Sequence, residues 1–259
     1  MPSWKFFDCD VMLGNTLVPQ PAPLLTPRDL LREMDRFGIE RALVYHYHRL
    51  KSRMNRLTLD AAKTSPRLVP CWALSLTPIM LRENIEDHVD EMLRAGVKAA
   101  RFVPDEGPAG GPMTLRLYQL EKVLARLDHH HVPVLIPGEH LQTPQMAATY
   151  GFDQIHDICS AFPNLPVVLL QVRYATQPPL LALMRRHANL YFTISWFGLF
   201  RQVESFVEMF GPERLLYGSG LPGGDPALGV GMVNYGKLTV AQKEGIAGTN
   251  LARLLEHVQ

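Results

Sequence analysis

Cysteine is scarce in this chain, with three in 259 residues. Cys9, Cys71 and Cys159 stand far apart and form no C-x-x-C pair. That argues against a disulfide framework and a zinc–cysteine site, and it fits a reduced setting. A surplus of charge is lacking too. The 26 basic residues face 25 acidic ones, so composition offers nothing to nucleic acid or to an anionic membrane surface. No apolar run approaches the roughly 18–20 residues of a membrane span, and the opening MPSWKFFDCD has no apolar core of a secretion signal. The expected location is the cytoplasm. Also missing are a G-x-G-x-x-G fingerprint, a P-loop and a G-x-S-x-G elbow. With no internal repeat, low-complexity tract or linker either, one domain over residues 1–259 is expected.

What recurs is a short β-like run followed by a helix-like run. Strands are expected at 6–10, 41–46, 68–75, 98–103, 132–136, 166–172, 190–195 and 214–219. Helices are expected at 27–38, 50–63, 81–93, 115–127, 152–162, 180–187, 203–210 and 239–255. Thr26-Pro27-Arg28-Asp29 starts the first helix with an N-cap, a proline in the first turn and an acid three residues on; Gly38 supplies a left-handed stop. Thr239 and Gln242 take capping-box positions on the last one. Runs such as Val167-Val168-Leu169-Leu170 are apolar on both faces, as parallel strands covered by helices should be. Eight such units in this length predict an α/β fold, a TIM (β/α)8 barrel. Chemistry in that fold sits at the C-terminal strand ends.

Two segments carry more specific information: RLLYGSGLPGGDPAL at 214–228 and GIAGTNLARLL at 245–255. Together they resemble the end of the amidohydrolase-related metal-dependent hydrolases, a superfamily that also contains decarboxylases. In that family the last strand reads roughly R-[LIV]-[LIV]-[FY]-G-S-D-x-P, and a closing helix carries G-x-N-A-x-x-L-[LF]. The resemblance covers essentially the whole chain and implies a divalent metal held by His-x-His after the first strand, histidines on the fifth and sixth, and the aspartate of the last. Such a metal lowers the pKa of a bound water and makes it a nucleophile. At those positions this chain has Asp10, Met12, Pro137, Gln171 and Gly220. The frame is kept and the metal ligands are altered, so no metal or other cofactor is expected. A divalent ion stays as the alternative, on relocated ligands from Asp8, Asp10, His46, His48, Glu139 and His140. Gly218-Ser219-Gly220 is then the family's own turn, while Gly-Gly-Asp at 223–225 and Gly-Val-Gly at 229–231 read as flexible loop glycines.

The remaining strand-end residues define the expected site. Asp10, His46 and His48 are the candidate acid/base groups. Arg101 and Arg173 are candidates to hold an anion, since a barrel-mouth arginine meets either an acid of its own chain or an anionic ligand. Glu139, His140, Gln171, Trp196 and Ser219 complete the substrate-binding set, with Phe197 and Tyr174 extending an aromatic wall. His129-His130-His131 precedes a strand, on the opposite rim, and reads as a solvated helix end. Cys9 reads as a core thiol.

Three functional readings follow. One is a divergent family member that binds or acts on a small carboxylate- or carbonyl-bearing molecule without the usual metal. Another is a hydrolase or decarboxylase with rearranged ligands. The third is a non-catalytic barrel that binds a metabolite or partner. The expected partner is a small anionic molecule. The resemblance adds a homo-oligomer, for which the residues themselves carry no interface signature.

Overall fold

The computed structural model describes residues 4–15, 21–48, 50–75, 86–103, 115–138, 151–196 and 198–259. They fall into two compact units, Met1–Cys71 with Phe192–Arg253, and Trp72–Tyr191 with Leu254–Gln259.

In the first unit, β1 (Phe6–Leu13) pairs in parallel with β2 (Ile39–His46), and β2 with β3 (Leu68–Pro70). Between β1 and β2 lies α1 (Pro27–Phe37), built as its sequence dictates. Thr26 Oγ1 accepts the Asp29 amide at 3.2 Å, Asp29 Oδ2 accepts the Thr26 amide, and Gly38 stops the helix at φ 68°. Its Leu30 and Met34 are buried, which seats the helix on the sheet. After β2 comes α2 (Met54–Ala62), whose Thr58 hydroxyl receives the His46 amide at 2.8 Å and so ties the strand's end to the next helix.

The second unit is the plainer one. Strands β4 (Trp72–Leu74), β5 (Ala100–Phe102), β6 (Val134–Pro137) and β7 (Val167–Leu170) pair in parallel in chain order. Helices α3 (Asp87–Arg94), α4 (Leu117–His129), α5 (Phe152–Ala161) and α6 (Gln177–Arg186) accompany them. Every residue of β6 and β7 is buried. Val, Leu and Ile on both faces of a strand leave no face for water, which is why these runs read as unbroken apolar stretches.

The chain returns to the first unit within β8 (Leu190–Thr193), whose end pairs in parallel with β9 (Leu215–Leu216). Helix α7 (Gln202–Phe210) lies between the two strands in sequence, and α8 (Pro226–Tyr235) follows β9. The closing stretch runs as α9 (Val240–Glu244), a π-helical turn (Gly245–Thr249) and α10 (Asn250–Glu256).

Three expectations are corrected. The third strand is split at Cys71 into β3 and β4. The closing helix is not uniformly α-helical: at Gly248 a Cβ would come within 2.8 Å of the Lys5 carbonyl, and the widened π turn brings this glycine backbone against the start of β1. The glycines at 229–231 belong to a helix rather than a loop. Asp225 caps it by accepting the Ala227 amide at 2.9 Å, and Pro226 occupies its first turn. Gly229 is there for contact rather than for freedom, because a Cβ would strike Ser195 Oγ and the Tyr217 ring. Of the expected helix at 81–93, residues 81–85 lie outside the described ones.

Candidate functional site

The middle of β1 and the ends of β8 and β9 carry buried polar side chains of the first unit. Asp8, Asp10, Thr193, Ser195 and Ser219 are all at most 2% exposed. Asp8 is the organising group. The register of β1 against β2 shifts between Asp8 and Val11, which interrupts the regular ladder. Asp8 Oδ1 accepts the Asp10 amide at this interruption, at 3.0 Å, and from the turn after β9 the Ser219 amide at 2.9 Å. Ser219 Oγ in turn accepts the Leu221 amide at 3.1 Å. The Leu221–Pro222 bond is cis, and Val11 bridges to Leu221.

Burial pushes the Asp8 carboxyl up from 3.8 to about 7, against the Ser219 hydroxyl and the two amides, which favour its charged form; the nearby Asp10 adds to the rise. Its Oδ2 is buried with no hydrogen-bond partner. Tyr217 stands beside it, edge-on to Phe6 at 4.8 Å between centroids. Burial, and then the charge of Asp8, raise the Tyr217 hydroxyl well above its ordinary value. Asp8 carried no assigned role on sequence grounds beyond that of an alternative metal ligand, and Tyr217, Thr193 and Ser195 carried none. Parity along a strand identifies neither the register shift nor the burial that make Asp8 unusual.

Of the two expected histidines, His46 is the last residue of β2 and His48 follows it. The His46 ring lies against Gly14 (φ 97°), where any Cβ would strike the Tyr47 carbonyl and come within 2.7 Å of the ring. Nδ1 of His46 is 2.9 Å from the Tyr47 carbonyl oxygen. A carbonyl only accepts, so this nitrogen carries the proton and Nε2 keeps the lone pair. Burial lowers the His46 pKa, with a smaller push from His48, so the ring is neutral at neutral pH. His48 bonds locally as well: its Nδ1 accepts the Leu50 amide at 3.0 Å. Each ring is thus held by its own loop. Trp196 is half-buried, with Gly224 against its indole.

In the second unit Arg101 is 6% exposed on β5, in register with Ala73 and Leu135. Gln171 is half-buried directly after β7, with φ at 52°, a backbone conformation uncommon for a non-glycine residue. Arg173 and Tyr174 are exposed. Glu139 and His140 lie outside the described residues, as does Phe197. His130, from the histidine triplet, bonds the last residue of the chain: its Nδ1 lies 3.0 Å from the Gln259 carbonyl.

At the positions where the family resemblance placed metal ligands, the structure therefore has a buried carboxylate (Asp10), a half-buried thioether (Met12), a proline, an amide and a glycine. Gly220 sits at φ 74°, so both it and Gln171 have a left-handed backbone. Among the described residues, no three His, Cys, Asp or Glu side chains converge so as to hold a metal ion.

An amidohydrolase family model matches residues 18–256, so the chain belongs to the amidohydrolase family. The match begins after β1, the strand that bears Asp8 and Asp10. No curated protein matches by sequence. Solved structures agree on the fold. An uncharacterised TIM-barrel protein from Bordetella bronchiseptica superposes with a TM-score of 0.74 at 17% identity, covering 98% of this chain and 99% of that one. A 2,6-dihydroxybenzoate decarboxylase from Rhizobium gives 0.72 at 15% identity, again over 98% and 99%. A dihydroxybenzoic acid decarboxylase from Polaromonas sp. JS666, with bound manganese and the inhibitor 2-nitroresorcinol, gives 0.71 at 14% identity over 98% and 97%. The fold is the α/β TIM barrel expected from the alternation of elements. No described helix is long and apolar enough to cross a membrane.

Proposed function

We propose that this amidohydrolase-family protein binds and acts on a small carboxylate- or carbonyl-bearing molecule at its strand ends, without the divalent metal usual in the family. The observation that carries this reading is the donor set. A divalent ion needs several hard oxygens or imidazoles from different strands, and the positions in question supply one carboxylate. Replacing Gly220 by aspartate would not simply restore the missing acid, because an L side chain is strained at φ 74°. The decarboxylases among the structural relatives favour a carboxylate-bearing ligand.

Proton transfer in this reading falls to Asp10, His46 and His48. His46 is the base, since it is neutral and keeps the Nε2 lone pair. Of the expected substrate-binding residues, Ser219 and Trp196 belong to the same unit as these groups.

Elemental mass spectrometry tests the metal claim, on untagged protein incubated with zinc, manganese and iron. Less than about a tenth of an ion per chain, with no thermal stabilisation by added metal, supports the reading; about one tightly held ion overturns it. Asp10→Asn and His46→Ala test the acid/base assignment. Each should abolish turnover while leaving the fold intact, and turnover that survives both overturns the assignment.

A further inference from the structure

We propose that Asp8 is the positioning residue of this site: its buried carboxyl ties β1 to the turn after β9 and sets where Asp10 and Ser219 stand. The inference deepens the metal-free reading above and rests on it for the functional consequence. The hydrogen bonds themselves do not depend on it.

The geometry begins at Cys9, whose amide donates to the Tyr217 carbonyl at 3.0 Å. In a regular parallel ladder the next bond would run from the Ser219 amide back to the Cys9 carbonyl. That amide goes to Asp8 Oδ1 instead, and the same oxygen takes the Asp10 amide. Beyond this point the ladder resumes, with the Gly220 amide donating to the Asp10 carbonyl at 3.0 Å and the Met12 amide to the Leu221 carbonyl at 2.9 Å. One side-chain oxygen therefore bridges the break in register. On its far side lie Asp10, Ser219 and the left-handed Gly220.

Gly218 permits the close approach. A Cβ there would fall 2.7 Å from the Thr193 methyl, 3.0 Å from Cys9 Sγ and 3.1 Å from Asp10 Cβ. The family resemblance calls for a metal ion to join ligands on the first and last strands. Here a hydrogen-bonded carboxyl makes that join. Two donors converging on a single oxygen are what hold the turn, so an amide at position 8 can do the same through its own Oδ1. The carboxyl's charge is not needed for the purpose; its acceptor oxygen is.

Nuclear magnetic resonance on the full chain, labelled with ²H, ¹³C and ¹⁵N, tests this without any substrate. Scalar couplings across the hydrogen bonds should connect the Ser219 and Asp10 amides to Asp8 Cγ. Asp8→Asn should keep the exchange protection of the Ser219, Asp10, Gly220 and Met12 amides. Asp8→Ala should lose about 100-fold there and leave the Tyr47 amide, bonded to the Leu13 carbonyl, unchanged. Wild-type protein without the couplings overturns the proposal, as does an Asp8→Ala variant that retains protection. If Asp8→Ala fails to fold, the couplings and the Asp8→Asn rescue decide it. A metal-loaded protein that still shows the couplings would overturn the metal-free reading and leave this one standing.

Discussion

The two compact units use the same parallel architecture and bury different chemistry. In the second unit β6 and β7 are buried aliphatic runs, and Arg101 is the one charged side chain buried on a described strand. In the first, β1 buries two carboxyls and β8 a threonine, with serines just after β8 and β9. Aliphatic burial stabilises wherever it occurs. A buried carboxyl opposes folding unless hydrogen bonds offset its desolvation. A corner that keeps such groups is where chemistry is to be sought, and the contrast between the units locates it without any motif.

Titration of Asp8 should give the largest effect. Its folded pKa lies above the unfolded value, so between pH 3.8 and about 7 the folded protein holds the extra proton. Stability from this group is complete below the unfolded value and is lost as pH rises through the folded one. A shift of this size corresponds to about 4 kcal/mol. Denaturant melts at pH 4 and pH 7 should show this loss in the wild type and lack it in Asp8→Asn. A slope that persists in the variant would remove Asp8 as the source.

Leu169→Ala in the apolar unit should cost about 3 kcal/mol at either pH, read from the same melts, because a fully buried leucine leaves a cavity. A strong pH dependence of that cost would break the comparison.

His187 sharpens it from the opposite side. His156 Nδ1 and His187 Nε2 are 2.7 Å apart, and burial, then His156 and Arg186, lower the His187 pKa. The stability it contributes is present above pH 6.5 and lost as pH falls through the depressed value. His46 acts with the same sign in the first unit. His187→Gln should therefore flatten the acid-side loss while leaving the Asp8 slope untouched, and melts between pH 5 and 7 read both.

Thr26→Ala should have the smallest effect, about 1 kcal/mol, because it removes a solvent-exposed cap. Measured by urea melts, that loss should not vary across the same pH range. It serves as the control for a local, exposed interaction.

Short-range physics made the fold legible. Alternation of elements, the Thr26–Asp29 and Thr239–Gln242 capping boxes and the Gly38 stop depend on neighbours within a few residues, and each appears where expected. The glycines of 229–231 misled for the same reason: locally they look loose, and only the Ser195 and Tyr217 side chains packed against Gly229 explain them. The site divides along this line too. That Asp10, Met12, Pro137, Gln171 and Gly220 stand where the resemblance expects metal ligands is read from the residues alone. The left-handed backbone at Gln171 and Gly220 is not, because no spacing rule reports a dihedral angle.

By itself, then, the order of residues determined the barrel and its family, since those follow from periodicity, caps and side-chain identity. Tertiary structure alone decided that Asp8 is the carboxyl perturbed to about 7 and that it, not the ladder, holds the Ser219 turn. A pKa and a cross-strand hydrogen bond both depend on what surrounds a group in space, and residue 219 comes within 2.9 Å of residue 8 only once the chain has folded.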